Sequence, residues 1–460
     1  MKTPRLIFAL LLGYWLVKAA LYALVLPPYL DPQELFVTER ALYGQRYHPI
    51  NAGYRTWERI DSAIWADLKE PALRAALTQH TTGSPGACFL SDPAFCSPRG
   101  YLLQCPSPYF PLLNTTALLF HQGSPRRIVF AGRLLSIVLG GATLGLIFSA
   151  ARSFFPGRSP APVFAVCCAA LTPPMTAVMT VATPESLKIF VFSSFFALII
   201  NAFTNDTPVV WRGHILLLTV FATACGGMGM ISFPLLITAA LLRPRGFAAQ
   251  QRTPPLRKRF RKWLAIGYVM LGIWLTTLSI MPHVARDWID CALRSDQSIG
   301  FDRFLSCGTP ITTLPTRSLS ALQSLLFPFC SASLSPGMWP ILTWTLLLVA
   351  AIAGGIGQWR RRNSANREPV ECQRLRYLFW IACYGALGAA LIQAAFRDFC
   401  DGRKLVVLIL PLTLMVADGL TSARRPSRLR LGIVWLLLVA LVLTDGYLVC
   451  GRLIPRLLLS

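Results

Sequence analysis

Two carboxylates, Asp31 and Glu34, stand three residues apart in Leu26-Pro27-Pro28-Tyr29-Leu30-Asp31-Pro32-Gln33-Glu34. On a helix they would share a face, and a carboxylate so placed can take a proton from a bound hydroxyl. The same spacing also reads as a capping box, with Asp31 at the N-cap, Pro32 at N1 and Glu34 at N3. The roles are compatible, because a capping carboxylate can still point one oxygen at a substrate. Arg133, in Gly132-Arg133-Leu134-Leu135-Ser136, is a cation within an apolar run. It calls for an acidic partner, a polar cavity or a snorkelling path to the boundary. The turn Val181-Ala182-Thr183-Pro184-Glu185-Ser186-Leu187-Lys188 holds one acid and one base. Glu185 there either caps the helix that follows or faces a ligand. Arg403 and Lys404 close Arg397-Asp398-Phe399-Cys400-Asp401-Gly402-Arg403-Lys404. An arginine can hold a phosphate through paired hydrogen bonds and a lysine as a point charge; the alternative is that they anchor the chain at an interface. The five His are scattered without ligand spacing, so no zinc site is expected and no metal is firmly assigned. No glycine loop for a nucleotide is evident.

The elements that must position these residues are apolar. Of 460 residues, 54% are hydrophobic and 14% charged, with a formal charge of +24. Runs such as Leu6 to Leu26 and Leu431 to Cys450 match the roughly 20 residues that cross a bilayer as a helix. Further spans are expected at Ile128 to Ala151, Ala161 to Val181, Leu187 to Phe203, Trp263 to Met281, Trp339 to Gly357, Tyr377 to Phe396 and Leu405 to Leu420. Residues 213–242 are broken by Cys225-Gly226-Gly227-Met228-Gly229 and read as a helical hairpin. That reading keeps the basic loop 243–262 on the cytoplasmic side, as the positive-inside rule requires. The prediction is an all-α polytopic membrane protein, one integral membrane domain over residues 1–460 with about 11 spans. The first helix is uncleaved, the N-terminus is cytoplasmic, and the C-terminus and two large loops, 27–127 and 282–336, are external.

On this topology the cytoplasmic segments hold 23 Lys and Arg against three acids, and the external segments 18 against 15. Most of the excess charge therefore records orientation and contact with anionic lipid headgroups, and no nucleic-acid partner is expected. Seven of the 13 Cys (Cys88, Cys96, Cys105, Cys291, Cys307, Cys330 and Cys400) fall outside. Disulfides are expected among them in an oxidising compartment, with Cys450 an additional candidate.

The order of these motifs resembles the GT-C type membrane glycosyltransferases, in particular the bacterial branch of protein mannosyltransferases and aminoarabinose transferases. Asp31-Pro32-Gln33-Glu34 is similar to their acidic motif after the first span, here split by Pro32 and Gln33. Pro108-Tyr109-Phe110-Pro111-Leu112-Leu113 and Arg133-Leu134-Leu135-Ser136 resemble their second-span motifs, and Thr183-Pro184-Glu185-Ser186-Leu187 their second acidic turn. Gly402-Arg403-Lys404-Leu405 is similar to their Gly-Arg-Tyr, with Lys404 in place of the aromatic. The resemblance implies a bacterial inner-membrane enzyme that takes a sugar from a polyprenyl-phosphate donor and gives it to a glycan, lipid or protein acceptor on the external face. It implies Asp31 as the base, with Glu34 as substitute. Arg133, Arg403 and Lys404 would serve the lipid phosphate, and Glu185 with Lys188 would position substrate or contact a divalent metal, which some of these enzymes use. Two other readings stay open. One is a transporter or flippase, with Lys18, Asp418 and Asp445 lining a path. The other is a non-enzymatic envelope assembly partner.

Overall fold

The computed structural model describes residues 3–26, 28, 34, 37–38, 41, 109–118, 125–155, 160–204, 406–421, 436, 439–447 and 450–451. The hairpin expected at 213–242, the basic loop 243–262, the external loop 282–336 and the spans expected at 263–281, 339–357 and 377–396 lie outside them, as does most of 27–127. Among the described residues the chain is helical, without strands. Its helices are α1 (Thr3–Val25), α2 (Tyr109–Leu118), α3 (Pro125–Phe154), α4 (Pro160–Leu171), α5 (Pro173–Met179), α6 (Pro184–Thr204) and α7 (Ile409–Thr421). Residues 439–447 add a further helical stretch.

Two stretches, Pro4–Val25 and Pro125–Phe154, are long and apolar enough to cross a membrane. At 1.5 Å per residue the 22 residues of the first reach about 33 Å, a bilayer's hydrocarbon thickness. α1 leaves Leu6, Leu10, Val17 and Leu24 more than 60% exposed while burying Trp15, Lys18 and Ala19. It runs antiparallel to α3. Phe8 stacks on Phe148 with ring centroids 4.4 Å apart, Trp15 meets Gly140, and Ala23 meets Arg133, so the contacts climb one helix as they descend the other. The close approach depends on glycine: a Cβ at position 140 would lie 2.3 Å from the Trp15 ring and 3.0 Å from the Met179 Cβ. α4 and α6 pack on α3, and α7 packs on α4 and α6.

The span expected as one helix over Ala161 to Val181 is instead two, broken at Thr172. The cause is Pro173-Pro174. A residue before proline is driven out of the helical region, and Thr172 is extended, with φ −71° and ψ 119°. Proline also has no N–H to give. In a continuous helix residues 173 and 174 would donate to the carbonyls of Ala169 and Ala170; both donors are missing. Thr172 N–H answers Ala169 at 3.3 Å, and the Thr172 hydroxyl answers Cys168. Ala170 is answered from another helix: the Lys18 ammonium donates to its carbonyl at 2.8 Å. Lys18 also donates to both Asp445 oxygens, at 2.9 and 3.0 Å, and the Tyr14 hydroxyl donates to Asp445 at 2.6 Å. Lys18 and Asp445 are 2% and 3% exposed, a buried ion pair completed by a helix end.

The cysteines expected to form disulfides lie outside the described residues, apart from Cys450, which is an exposed free thiol; Cys167 and Cys168 are buried free thiols.

Because Trp15 fills the space a side chain at position 140 would need, Gly140→Ala is expected to destabilise the helical bundle by about 1–3 kcal/mol through overpacking. A thermal melt of the detergent-solubilised protein, with Gly145→Ala as control, checks it. Position 145 has nothing within 4 Å of an added Cβ and should melt as the unaltered protein does.

Candidate functional site: a buried arginine–glutamate clamp

The site forms where α1 ends, α3 begins and α5 turns into α6. α1 ends at Val25 ahead of Pro27-Pro28. The carbonyl of Ala23 would accept from the N–H of residue 27, but that residue is proline. The missing donor is supplied by Arg133 on α3. Its Nη1 donates to Ala23 at 2.6 Å and to Leu26 at 2.7 Å, capping the end of α1. Its other edge faces Glu34, with Nε to Oε1 and Nη2 to Oε2 both at 2.8 Å. This is the bidentate fork that guanidinium makes with carboxylate. The Ala182 amide adds a third donor to Glu34 Oε1 at 3.0 Å. Arg133 is 4% exposed and Glu34 is fully buried. Of the possibilities for Arg133, the structure shows a paired cation inside the fold; a snorkelling side chain would be exposed.

Glu34 is helical, and its own carbonyl accepts from the Thr38 hydroxyl at 2.7 Å. The cap of α6 is Thr183: its hydroxyl accepts the Glu185 N–H at 3.3 Å, while its carbonyl accepts the Ser186 hydroxyl at 2.7 Å. Pro184 occupies the first helical position, where no N–H is needed. Glu185 is therefore not the cap. Its carboxylate pairs with Lys188 at 2.9 Å, one turn on, with both side chains 12–13% exposed.

Residues not singled out from sequence complete the site. Ser136, one turn beyond Arg133, donates to the Ser186 hydroxyl at 3.0 Å and ties α3 to α6. Tyr109, fully buried at the start of α2, donates to the Gly132 carbonyl at 3.5 Å. Burial holds the Tyr109 phenol above its ordinary pKa; a hydrogen bond with Ser136 opposes this and the charge of Glu34 adds to it, so the ring stays protonated. The available signal was a polar side chain spaced one helical turn from Arg133 in an apolar stretch. No sequence pattern announces the Ala182 amide, because every residue but proline has one.

Asp31, Arg403 and Lys404 lie outside the described residues. Of the other expected residues, the structure joins Glu34 to Arg133 directly and to the 182–188 turn through Ala182, with Glu185 and Lys188 paired on that turn. Among the described residues no three His, Cys, Asp or Glu side chains gather as metal ligands. The two described acids of the site, Glu34 and Glu185, each face a cationic side chain.

No family model matches the chain, and no curated protein matches it in sequence. Among solved structures it is similar to ArnT from Cupriavidus metallidurans bound to undecaprenyl phosphate, at 15% identity and TM-score 0.40 over 72% of this chain and 52% of that one. It is also similar to the archaeal oligosaccharyltransferase AglB from Archaeoglobus fulgidus in complex with an inhibitory peptide and a dolichol-phosphate, at 13% identity and TM-score 0.44 over 91% and 55%. The chain thus spans about half the length of these two structures.

Removing one partner strands the other as a buried charge, so Arg133→Met or Glu34→Gln alone is expected to cost about 3–5 kcal/mol. The double variant should cost clearly less than the two added together. Denaturant unfolding in micelles measures the coupling; strict additivity would mean that the pair does not act as a unit. A second change reaches the same clamp sterically. A Cβ at Gly132 would stand 2.5 Å from the Ala182 Cβ. Gly132→Ala should therefore loosen the Ala182–Glu34 hydrogen bond and speed amide exchange at residues 180–186.

Proposed function

We propose that the chain is a GT-C type glycosyltransferase of the bacterial inner membrane, moving a sugar from a polyprenyl-phosphate donor to an acceptor on the external face. The observation that carries this reading is the clamp. Glu34 of the first acidic motif is held by Arg133 of the second-span motif and by Ala182, beside the second acidic turn. Segments about 100 and 150 residues apart in the chain, each resembling a motif of that family, are joined at one carboxylate.

In this reading Glu34 and Arg133 form the frame and Asp31 does the chemistry. Both Glu34 oxygens are already occupied by N–H donors from Arg133 and Ala182, so neither is left to receive an acceptor hydroxyl. Asp31 stands three residues before Glu34 in the sequence. The Asp31 carboxylate takes the proton of the acceptor hydroxyl, the hydroxyl oxygen attacks the anomeric carbon, and the bond from that carbon to the phosphate oxygen breaks. The electron pair leaves with polyprenyl phosphate, whose charge Arg403 and Lys404 neutralise. Arg133 has its Nε and both Nη groups on Glu34, Ala23 and Leu26, so it supports the site in place of binding phosphate. The Glu185–Lys188 pair, partly exposed on the adjoining turn, offers an acid and a cation for positioning substrate. The transport reading is weakened by the same geometry: Lys18 and Asp445 are paired and buried, and Asp418 is buried as well.

Asp31→Asn is expected to lower transfer by about 10²–10⁴-fold while the protein accumulates in the membrane at its usual level. Mass spectrometry of surface glycans and of lipid-linked sugars in a host lacking the native copy reads the result. Unchanged glycans in Asp31→Asn would overturn the proposal.

A further inference from the structure

α5 is a seven-residue helix whose two flanks are tied to α1, directly through Lys18 and indirectly through Glu34 and Arg133. Before it, Ala170 has lost its helical donor to Pro174, and Lys18 of α1 holds that carbonyl. After it, the chain reaches Ala182, whose amide holds Glu34, which is gripped by the Arg133 that caps the end of α1. Between these ends Met175, Ala177, Val178 and Met179 are buried, and α5 packs on α3, α4 and α1. A short helix so confined moves as one body. Displacing the Ala170 end would displace the Ala182 end.

Lys18 itself is held by a residue from far along the chain. Asp445 receives it through both oxygens, with the Tyr14 hydroxyl as an additional donor. Without that carboxylate, a buried ammonium on a carbonyl alone would be an uncompensated charge. The pair takes no part in the clamp, and the proposed chemistry does not use it.

We infer that Lys18 and Asp445 are positioning residues for the acidic site: through Ala170 and α5, the C-terminal helical stretch sets where the Ala182 amide meets Glu34. The inference rests on Glu34 marking the functional end of the bundle, as proposed above. The orphaned carbonyl sets its direction. The ion pair holds the break, the break holds α5, and α5 presents the turn.

The test uses the full-length chain in lipid nanodiscs and peptide-resolved amide hydrogen exchange. Lys18→Met/Asp445→Leu removes both charges together and leaves neither stranded. In it, amides of residues 180–186 should exchange about tenfold faster, the equivalent of one lost charge-assisted hydrogen bond, while those of α3 stay within about twofold of the unaltered chain. Lys18→Arg, which keeps a cation able to reach Asp445 and Ala170, should hold the turn near its original rate. If the apolar double variant does not accumulate, Lys18→Gln/Asp445→Asn takes its place under the same criteria. An unchanged turn, or a rise spread equally over α3, would overturn the inference by showing an isolated or merely global stabiliser. Glycan analysis of Asp31→Asn keeps the two ideas apart. If that variant is active while the turn still responds at Lys18, the enzymatic reading fails and the positioning role stands.

Discussion

The constraint on which this structure turns is an unanswered backbone carbonyl where water is scarce. A helix that stops within apolar surroundings leaves carbonyls without donors, and each costs several kcal/mol if nothing replaces them. Here a proline pair removes the donors twice, at Pro27-Pro28 after α1 and at Pro173-Pro174 after α4. Both times a buried cation from a different helix answers, Arg133 to Ala23 and Lys18 to Ala170. Both times the cation is neutralised by an acid distant in sequence, Glu34 or Asp445. Helix endings, charged residues in apolar runs and long-range contacts are thus one arrangement used twice.

The arrangement explains why charges lie inside apolar segments at all. A buried ion pair is weak support for stability on balance, since desolvation offsets most of its attraction. Its value here lies in geometry. The guanidinium fork fixes the orientation of Glu34, while the ammonium, a point charge on a flexible stem, holds the Ala170 carbonyl and Asp445 together beside α1. Gly132 and Gly140 bring the backbones close enough for the hydrogen bonds to form, by leaving space that Ala182 and Trp15 occupy.

Much of this was legible in the residues. Apolar runs gave the positions of α1, α3 and α6 to within a few residues, because a long uninterrupted apolar run is the pattern of a helix packed among apolar neighbours. The motif segments around Glu34, Arg133 and Glu185 were identifiable as residues with chemistry to do, since ionisable groups are rare in such stretches. The break at Thr172 was missed because a hydropathy run does not register a lost N–H; Pro173-Pro174 contained the information, and reading it required counting donors. Of the two readings open for Glu185, capping of α6 or facing a ligand, the cap is taken by the hydroxyl of Thr183, two residues earlier.

The sequence by itself determined that this chain is apolar, that its described segments are helical, where their prolines end helices, and which few charged residues stand in or beside apolar runs. Only the tertiary structure decided who partners whom. Arg133 had three prospects in sequence, a ligand, the interface or an acid, and folding gave it Glu34 and the carbonyls of Ala23 and Leu26. Lys18 and Asp445 looked like lining for a path and became a closed pair. The physical reason is that a missing donor is a local fact, fixed by a proline, whereas its replacement comes from whatever side chain the packing of another helix brings within 3 Å. Sequence spacing sets the demand, and only the three-dimensional register of the helices sets the supply.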